Sequence, residues 1–250
     1  MKTLLAKCTT EDFTYLSETL ESYFSFTDDK KRKKLLSLSK TDTKSRKLLI
    51  ETIDSQIKYF GSSDLAYLKR HLLQGNGAVS ASEIIEDVCE KLKVNIKLGG
   101  SVESRLEKLV KSVVEKELLS KTPEELYKAF KEMGVGDIDN EQILEHLKKN
   151  GKVAVLPVIV QFLGPEIALG IIETIIITLI AQIIGREAAK QLVKEVIKRN
   201  PWLNALGPAL WVVSGAWLAF DLQGPAYRKT VPICLYLGIV ALRDGEEADS

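Results

Sequence analysis

The stretch Val153–Gly185, VAVLPVIVQFLGPEIALGIIETIIITLIAQIIG, decides the fold. Its 33 residues contain no Lys or Arg, and its only charges are Glu166 and Glu173. Gly164-Pro165 divides it, and a proline suits the first helical position, so a helix is expected to open at Pro165. Pro165–Gly185 is 21 residues. At about 1.5 Å per residue that is roughly 30 Å, the thickness of the hydrocarbon core of a bilayer. A helix that is apolar all round is either a buried core helix or a membrane span. Ile167, Ile171, Ile175 and Leu179 step along it every four residues and are the candidate lipid-contacting positions.

A second window, Pro201–Phe220, has 20 residues and no charge. Trp202, Trp211 and Trp217 are its candidate membrane-interacting residues. Ala205/Ala209 and Gly215/Ala219 have the small-xxx-small spacing that lets helices approach closely. The two windows are expected to pair as a hydrophobic hairpin. Between them Arg186–Arg199 reads as a two-faced helix with excess cations: Ala188, Ala189, Leu192, Val193, Val196 and Ile197 on one face, Arg186, Lys190, Lys194 and Lys198 among the other. A third uncharged run, Thr230–Leu242, is too short at 13 residues to span unaided.

Topology signals conflict. Lys148, Lys149 and Lys152 precede the first window, five cations follow it, and Arg228 and Lys229 follow the second. Every loop is basic, so no orientation is preferred. Glu173 would lie near the middle of a span, at a cost of about 3 kcal/mol unless paired. A hairpin kept inside a shell of amphipathic helices resolves the conflict, with release to lipid on a trigger. Glu166 and Glu173, seven apart, share a helix face. Buried together they would act as an acid sensor. The alternative is that the helix dipole satisfies Glu166 while Glu173 pairs with a cation.

The whole chain of 250 residues carries 35 basic and 34 acidic side chains, a net charge of +1. That excludes a nucleic-acid binder driven by global charge. An apolar fraction of 45% excludes a disordered chain. The charges are uneven: residues 1–150 hold 26 basic and 25 acidic side chains, residues 151–250 only 9 of each. No secretory signal is legible at the start, where Lys7, Glu11 and Asp12 interrupt any apolar core, so a cytoplasmic chain or one associated with a bacterial inner membrane is expected. Cys8, Cys89 and Cys234 are far apart and form no CxxC, which predicts reduced, buried thiols.

The polar part has helical period nearly throughout. Thr10–Phe26 places Phe13, Leu16 and Leu20 on one face. Leu48, Leu49, Ile53, Ile57 and Phe60 recur through 46–60, which stops at Gly61. Ser80-x-x-Glu83 is a capping box ahead of Ile84, Ile85, Val88 and Leu92. Ser101 is placed to cap a helix carrying Val102, Leu106, Leu109, Val110, Val113 and Val114. Thr122-Pro123-Glu124-Glu125 is a second box, and Asp139-Asn140-Glu141-Gln142 a weaker one. No segment alternates with a period of two. The expected fold is all-α: a multi-helix bundle with a hydrophobic hairpin surrounded by amphipathic helices. Residues 1–45 form an N-terminal appendage and 46–250 a core domain, with 46–150 as shell and 153–242 as the hydrophobic helices. The cation run Lys30, Lys31, Arg32, Lys33 and Lys34 is a candidate contact for anionic lipid.

Chemical motifs fail one by one. His71 and His146 have no His or Cys at ligand spacing. Gly75-Asn76-Gly77 lacks the lysine of a phosphate loop. Asp137–Lys148 lacks the glycine and terminal glutamate of a calcium loop. No catalytic residue, metal or cofactor is expected.

Two resemblances follow from these strings. A greasy hairpin wrapped in amphipathic helices is similar in architecture to pore-forming colicin domains and Bcl-2-type proteins. Leu126, Phe130, Met133 and Gly134 have the spacing of a BH3-like string, with Val135 where that pattern wants an acid. Ile57-Lys58-Tyr59-Phe60-Gly61, Leu68, Gly75, Ile84–Leu92 running into Lys93-Val94, and Gly224-Pro225-Ala226-Tyr227-Arg228-Lys229-Thr230-Val231-Pro232 through Leu242-Arg243 resemble the YaaW family of bacterial proteins. Cys8-Thr9-Thr10-Glu11-Asp12-Phe13 with Leu16 resembles the appendage that opens that family. Its function is uncharacterised, and it is loosely grouped with ubiquinol–cytochrome c assembly chaperones. The resemblance implies no catalytic residues, and Ile167–Ile184 is longer and more apolar than it would suggest. The expected function is non-enzymatic: a membrane-active protein that forms or regulates a pore in bacterial stress, phage defence or cell death. Its partners would be a lipid bilayer and a protein partner or second copy, with no nucleic acid. The alternative is a soluble assembly factor that binds a client helix.

Overall fold

The computed structural model describes residues 1–21, 29–61, 79–97, 99–132, 135–150, 154–185, 227–247 and the single positions 190, 192, 194 and 198. Among them only helices occur, with no strand, so the fold is all-α. The chain divides into two compact units: Met1–Glu107 with Phe220–Ser250, and Lys108–Ala219.

The first unit begins with α1 (Lys2–Lys7), α2 (Thr10–Thr19), α3 (Asp29–Leu38), α4 (Thr43–Phe60) and α5 (Ala81–Leu92), and ends with α10 (Tyr227–Glu247). Helix α10 is its centre. Every residue from Thr230 to Ala241 is buried, and the helix packs against α1, α2, α4 and α5. The third uncharged run is therefore a core helix, as an all-round apolar surface requires when protein covers it. The surrounding helices are amphipathic. Phe13, Leu16 and Leu20 of α2 and its C-cap are buried, as are Leu49, Ile53 and Ile57 of α4 and Ile84, Ile85, Val88 and Leu92 of α5. Leu48 departs from its predicted stripe and is exposed, because it lies one position off the i, i+4 line of Leu49 and Ile53.

Local chemistry sets most boundaries. The Ser80 N–H donates to Glu83 Oε2 at 2.8 Å and the Glu83 N–H to Ser80 Oγ at 3.2 Å, the reciprocal box read from the sequence. The same box stands unannounced at α2, where the Thr9 N–H donates to Asp12 Oδ2 at 2.8 Å. Asp42 caps α4 by accepting from the N–H groups of Lys44 and Ser45. Gly61 does end α4, but its φ of −71° is ordinary. A side chain is excluded for another reason: a Cβ there would lie 2.5 Å from Ile84 Cγ1. Gly61 lets α4 close upon α5.

The second unit holds most of α6 (Val102–Ser120), α7 (Pro123–Glu132), α8 (Asp137–Asn150) and α9 (Val155–Ile184). The first turns of α6 belong to the other unit. Ser101 Oγ accepts from the Ser104 N–H at 3.1 Å, and Thr122 and Glu125 complete their box at 2.6 and 3.1 Å. The weaker box at Asp139 does not form. Helix α8 has already started at Asp137, and the Asn140 amide turns inward to donate to Tyr127 O at 2.7 Å. That bond ties α8 to α7.

Candidate functional site

Helix α9 is the candidate site, the one described helix long and apolar enough to cross a membrane. It is two helical segments joined at a kink. Gly164 interrupts it with φ 81° and ψ 166°, and Pro165 opens the longer segment as expected. That backbone region is open only to glycine, and the following proline also disfavours a helical conformation there. From Ala168 to Ala181 every residue except Leu169 and Thr174 is buried. Of the predicted lipid-contacting side chains, Ile171, Ile175 and Leu179 are fully buried and Ile167 is half-buried. This surface meets protein. Trp202, Trp211 and Trp217, and with them the second arm of the expected hairpin, lie outside the described residues, as do His71, Gly75–Gly77, Met133 and Gly134. Within Arg186–Arg199, Lys190, Lys194 and Lys198 are exposed and Leu192 is buried, as the two-faced pattern requires.

Thr174 Oγ1 donates to Gly170 O at 2.8 Å and Thr178 Oγ1 to Thr174 O at 2.7 Å, so both hydroxyls are satisfied inside the helix. Gln161 and Gln182 are exposed towards the ends. Glu166 and Glu173 do not share an environment. Glu166 is exposed in the first turn after Pro165, the position the helix dipole favours for an acid, while Glu173 is 1% exposed. The two carboxylates are therefore not buried together as an acid-sensing pair.

The N-terminus of α9 is held from elsewhere. Its N-cap, Ala154, offers no side-chain acceptor. The carboxylate of Glu115, on α6, takes that role: the Val155 N–H donates to Glu115 Oε1 at 2.5 Å and the Leu156 N–H to Oε2 at 2.8 Å. An anion at this end also meets the positive pole of the helix. Two turns further on, the Phe162 ring meets His146 of α8 edge-on at 5.9 Å. Sequence reasoning missed Glu115, since nothing local links residues 40 apart.

The cation run on α3 is not uniform. Lys30, Lys31, Lys33 and Lys34 are exposed, but Arg32 is 0% exposed. Its guanidinium donates to Ser17 Oγ (2.9 Å), Ser17 O (2.8 Å), Gln56 Oε1 (2.6 Å) and Asp29 Oδ1 (2.6 Å). The lipid-facing role expected of Arg32 is corrected accordingly. Helical turn places it on the same side as Leu35, three residues on, and that side is buried.

A second buried network joins the two ends of the chain in the first unit. Tyr236 OH on α10 donates to Asp12 Oδ1 at 2.6 Å, and both terminal nitrogens of Arg243 approach the same oxygen at 3.3 and 3.4 Å. Tyr15 packs on Tyr236 with ring centroids 4.3 Å apart, and burial pushes its hydroxyl above the usual range. Lys229, in the first turn of α10, donates to the carbonyls of Thr19 and Glu21 at the C-terminal end of α2, with its ammonium 4.5 Å over the Phe60 ring. Burial lowers the pKa of that ammonium, the nearby Asp29 opposing. The three cysteines are free and buried. Burial raises the Cys89 thiol to about 11 and the Cys234 thiol to about 12. Thiols held protonated in this way are poor nucleophiles. Among the described residues no group of His, Cys, Asp or Glu is placed to hold a metal.

These features define a class: an all-α protein built on two buried apolar helices, one of them of span length. Comparisons with known proteins give relatives by sequence alone. The chain is similar to UPF0174 proteins of Helicobacter pylori. One, from strain J99, is 25% identical over 193 residues, covering 77% of this chain and 71% of the relative. Another, from strain 26695, is 25% identical over 196 residues, covering 76% and 87%. A third, again from strain J99, is 26% identical over 188 residues, covering 73% and 83%. No family model matches the chain. No solved structure matches it.

Proposed function

We propose that this chain is a membrane-active helical protein that keeps a span-length helix in a helical unit and, on release, forms or regulates a pore. The observation that carries the reading is the construction of α9. It is 30 residues long, its hydroxyls are bonded within the helix, and its N-terminus is held by a carboxylate from another helix. In lipid backbone and hydroxyl groups must be satisfied internally; beyond the break at Gly164, the segment from Pro165 to Ile184 keeps both of its threonine hydroxyls bonded within the helix and carries Glu173 as its buried charge. The clamp from Glu115 on α6 is a point at which such a helix can be let go. The matching process class is bacterial stress, phage defence or cell death, where a change of permeability is the output. The shared strings further lead us to group the chain with YaaW-type proteins. The reading assigns no catalytic step and no cofactor.

Dye release from liposomes tests it. The wild-type protein is expected to bind and to release dye at some pH and lipid composition. Glu173→Lys is expected to bind and release less, since a cation replaces the carboxylate buried in the middle of the apolar segment. Failure of both proteins to bind under every pH and lipid mixture overturns the reading.

One observation favours a second reading. The most apolar window of α9 is 72% buried, which is also how the core helix of a soluble protein behaves. On that reading the protein is a soluble assembly factor with a groove for a client helix. A stable monomer purified without detergent, carrying one stoichiometric partner, would support it.

A further inference from the structure

From Lys30 through Lys47 the chain holds nine basic residues and one acid, Asp42. These residues form an antiparallel hairpin. Helices α3 and α4 pack together, joined by four residues, and Arg32 near the start of α3 reaches Gln56 near the end of α4. The fold sorts the nine cations by type. Both arginines are turned inward. Arg32 is engaged as described above, and Arg46 donates to Cys8 O at 2.6 Å and lies over the Phe13 ring at 5.1 Å. All seven lysines, at 30, 31, 33, 34, 40, 44 and 47, are exposed. Asp42 is occupied at the N-terminus of α4, Asp29 meets Arg32, and Glu21 meets Lys33 at 2.5 Å.

Apolar side chains accompany this charge. Leu38 and Leu48 are 43% and 41% exposed, and they are the two large exposed apolar residues of this unit among the described residues. Each shares a helix stripe with lysines: Lys30, Lys34 and Leu38 at four-residue steps on α3, and Lys44, Lys47 and Leu48 at i, i+3 and i+4 on α4. Lysines in excess of acids around exposed leucines match a surface that is anionic in its plane and apolar beneath it.

We propose that the exposed face of the α3–α4 hairpin is a docking surface for an anionic lipid bilayer. The lysines supply diffuse attraction to headgroup phosphates and carboxylates, and Leu38 and Leu48 enter the interface. A nucleic acid fits less well. Its recognition draws on arginine forks and on aromatic faces that stack bases. Here Arg32 is buried and Arg46 is engaged with a backbone carbonyl and the Phe13 ring, and no aromatic residue is exposed on either helix. Docking by this hairpin extends the membrane reading to a part of the chain remote in sequence from α9, and it does not require α9 to leave its bundle.

The test is co-sedimentation of the full-length protein with phosphatidylserine-containing vesicles and with pure phosphatidylcholine vesicles. Binding is expected to the first alone and to weaken steeply as salt rises. A variant carrying Lys30→Gln, Lys34→Gln, Lys44→Gln and Lys47→Gln removes four cations that are not in the ion pairs named above. Near a charged leaflet each lysine is worth roughly fivefold in partitioning, so its binding is expected to fall by on the order of several hundredfold. Leu38→Ser with Leu48→Ser is expected to weaken binding while leaving its salt dependence. Circular dichroism checks that both variants fold. Equal binding to the two vesicle types, or unchanged binding by the lysine variant, overturns the proposal. So does tighter binding to oligonucleotides that ignores the leucine change, which would assign the face to nucleic acid. Dye release separates this from the role of α9: docking without release leaves the hairpin standing and removes the pore, and release unaffected by the lysine variant does the reverse.

Discussion

Replacing Glu115 by alanine removes both acceptors from the N-terminus of α9 at once. The Val155 and Leu156 N–H groups that it serves belong to buried residues, 0% and 7% exposed, so water is a poor substitute. A lost N-cap costs about 1 kcal/mol, a hydrogen bond to a charged group about 1.5–3 kcal/mol, and the charge–dipole contribution about 0.3–1 kcal/mol. These contributions overlap, because one carboxylate makes them all. A loss of about 3 kcal/mol is the expectation, which in a chain of this size lowers Tm by about 6–12 °C. Glu115→Gln retains one acceptor oxygen but turns an amide N–H towards the second donor, so about half that loss is expected. The assay is urea and thermal unfolding followed by circular dichroism, with hydrogen exchange at Val155 and Leu156 as the local readout. Both amides should exchange faster in the alanine variant. A variant as stable as wild type to within about 0.5 kcal/mol, with unchanged exchange at these amides, would refute the clamp.

Three further outcomes follow from the geometry. Gly61→Ala forces a Cβ against Ile84 Cγ1 and should cost about 1–3 kcal/mol, with partial recovery when Ile84→Ala opens the space; denaturant midpoints of the single and double variants decide it. Gly164→Ala meets no atom within 4 Å but inherits φ 81°, so it should lose about 1–3 kcal/mol through backbone strain alone and gain nothing from pruning its neighbours. Cys89 and Cys234 hold their protons up to about pH 11 and 12, whereas unfolded thiols release theirs near pH 8.5. The unfolded chain therefore binds fewer protons across that interval, and stability should be full below it and fall as pH rises through it. Unfolding midpoints from neutral to alkaline pH, with slow native thiol labelling alongside, check this; a flat profile would contradict it.

What could be read from the sequence was what neighbouring residues decide. Ser80 with Glu83, Thr122 with Glu125, and Pro165 after Gly164 are local signals, and each marks a helix start in the structure. Thr9 with Asp12 carries the same spacing, with an aspartate in place of the usual glutamate. Asp139 shows the limit of the pattern, since the helix had already begun at Asp137. Periodicity found the buried faces of α2, α5 and α6, and misplaced Leu48 by one position. The run of cations at 30–34 read as one charged block, although a helix turns 100° per residue and must send one of them inward. Contacts that close the tertiary structure left no local trace: Glu115 on the first turn of α9, and Asp12 on Tyr236, 224 residues away. The apolar character of α9 was plain, but composition alone does not distinguish a core helix from a span.

The destination of α9 is the central claim, and alkaline carbonate extraction of fractionated cells measures it most directly. If α9 enters lipid, a fraction of the chain stays in the membrane pellet after carbonate, and the retained fraction grows when Glu115→Ala loosens the clamp. Complete recovery of both proteins in the supernatant would leave α9 as interior packing and contradict the account.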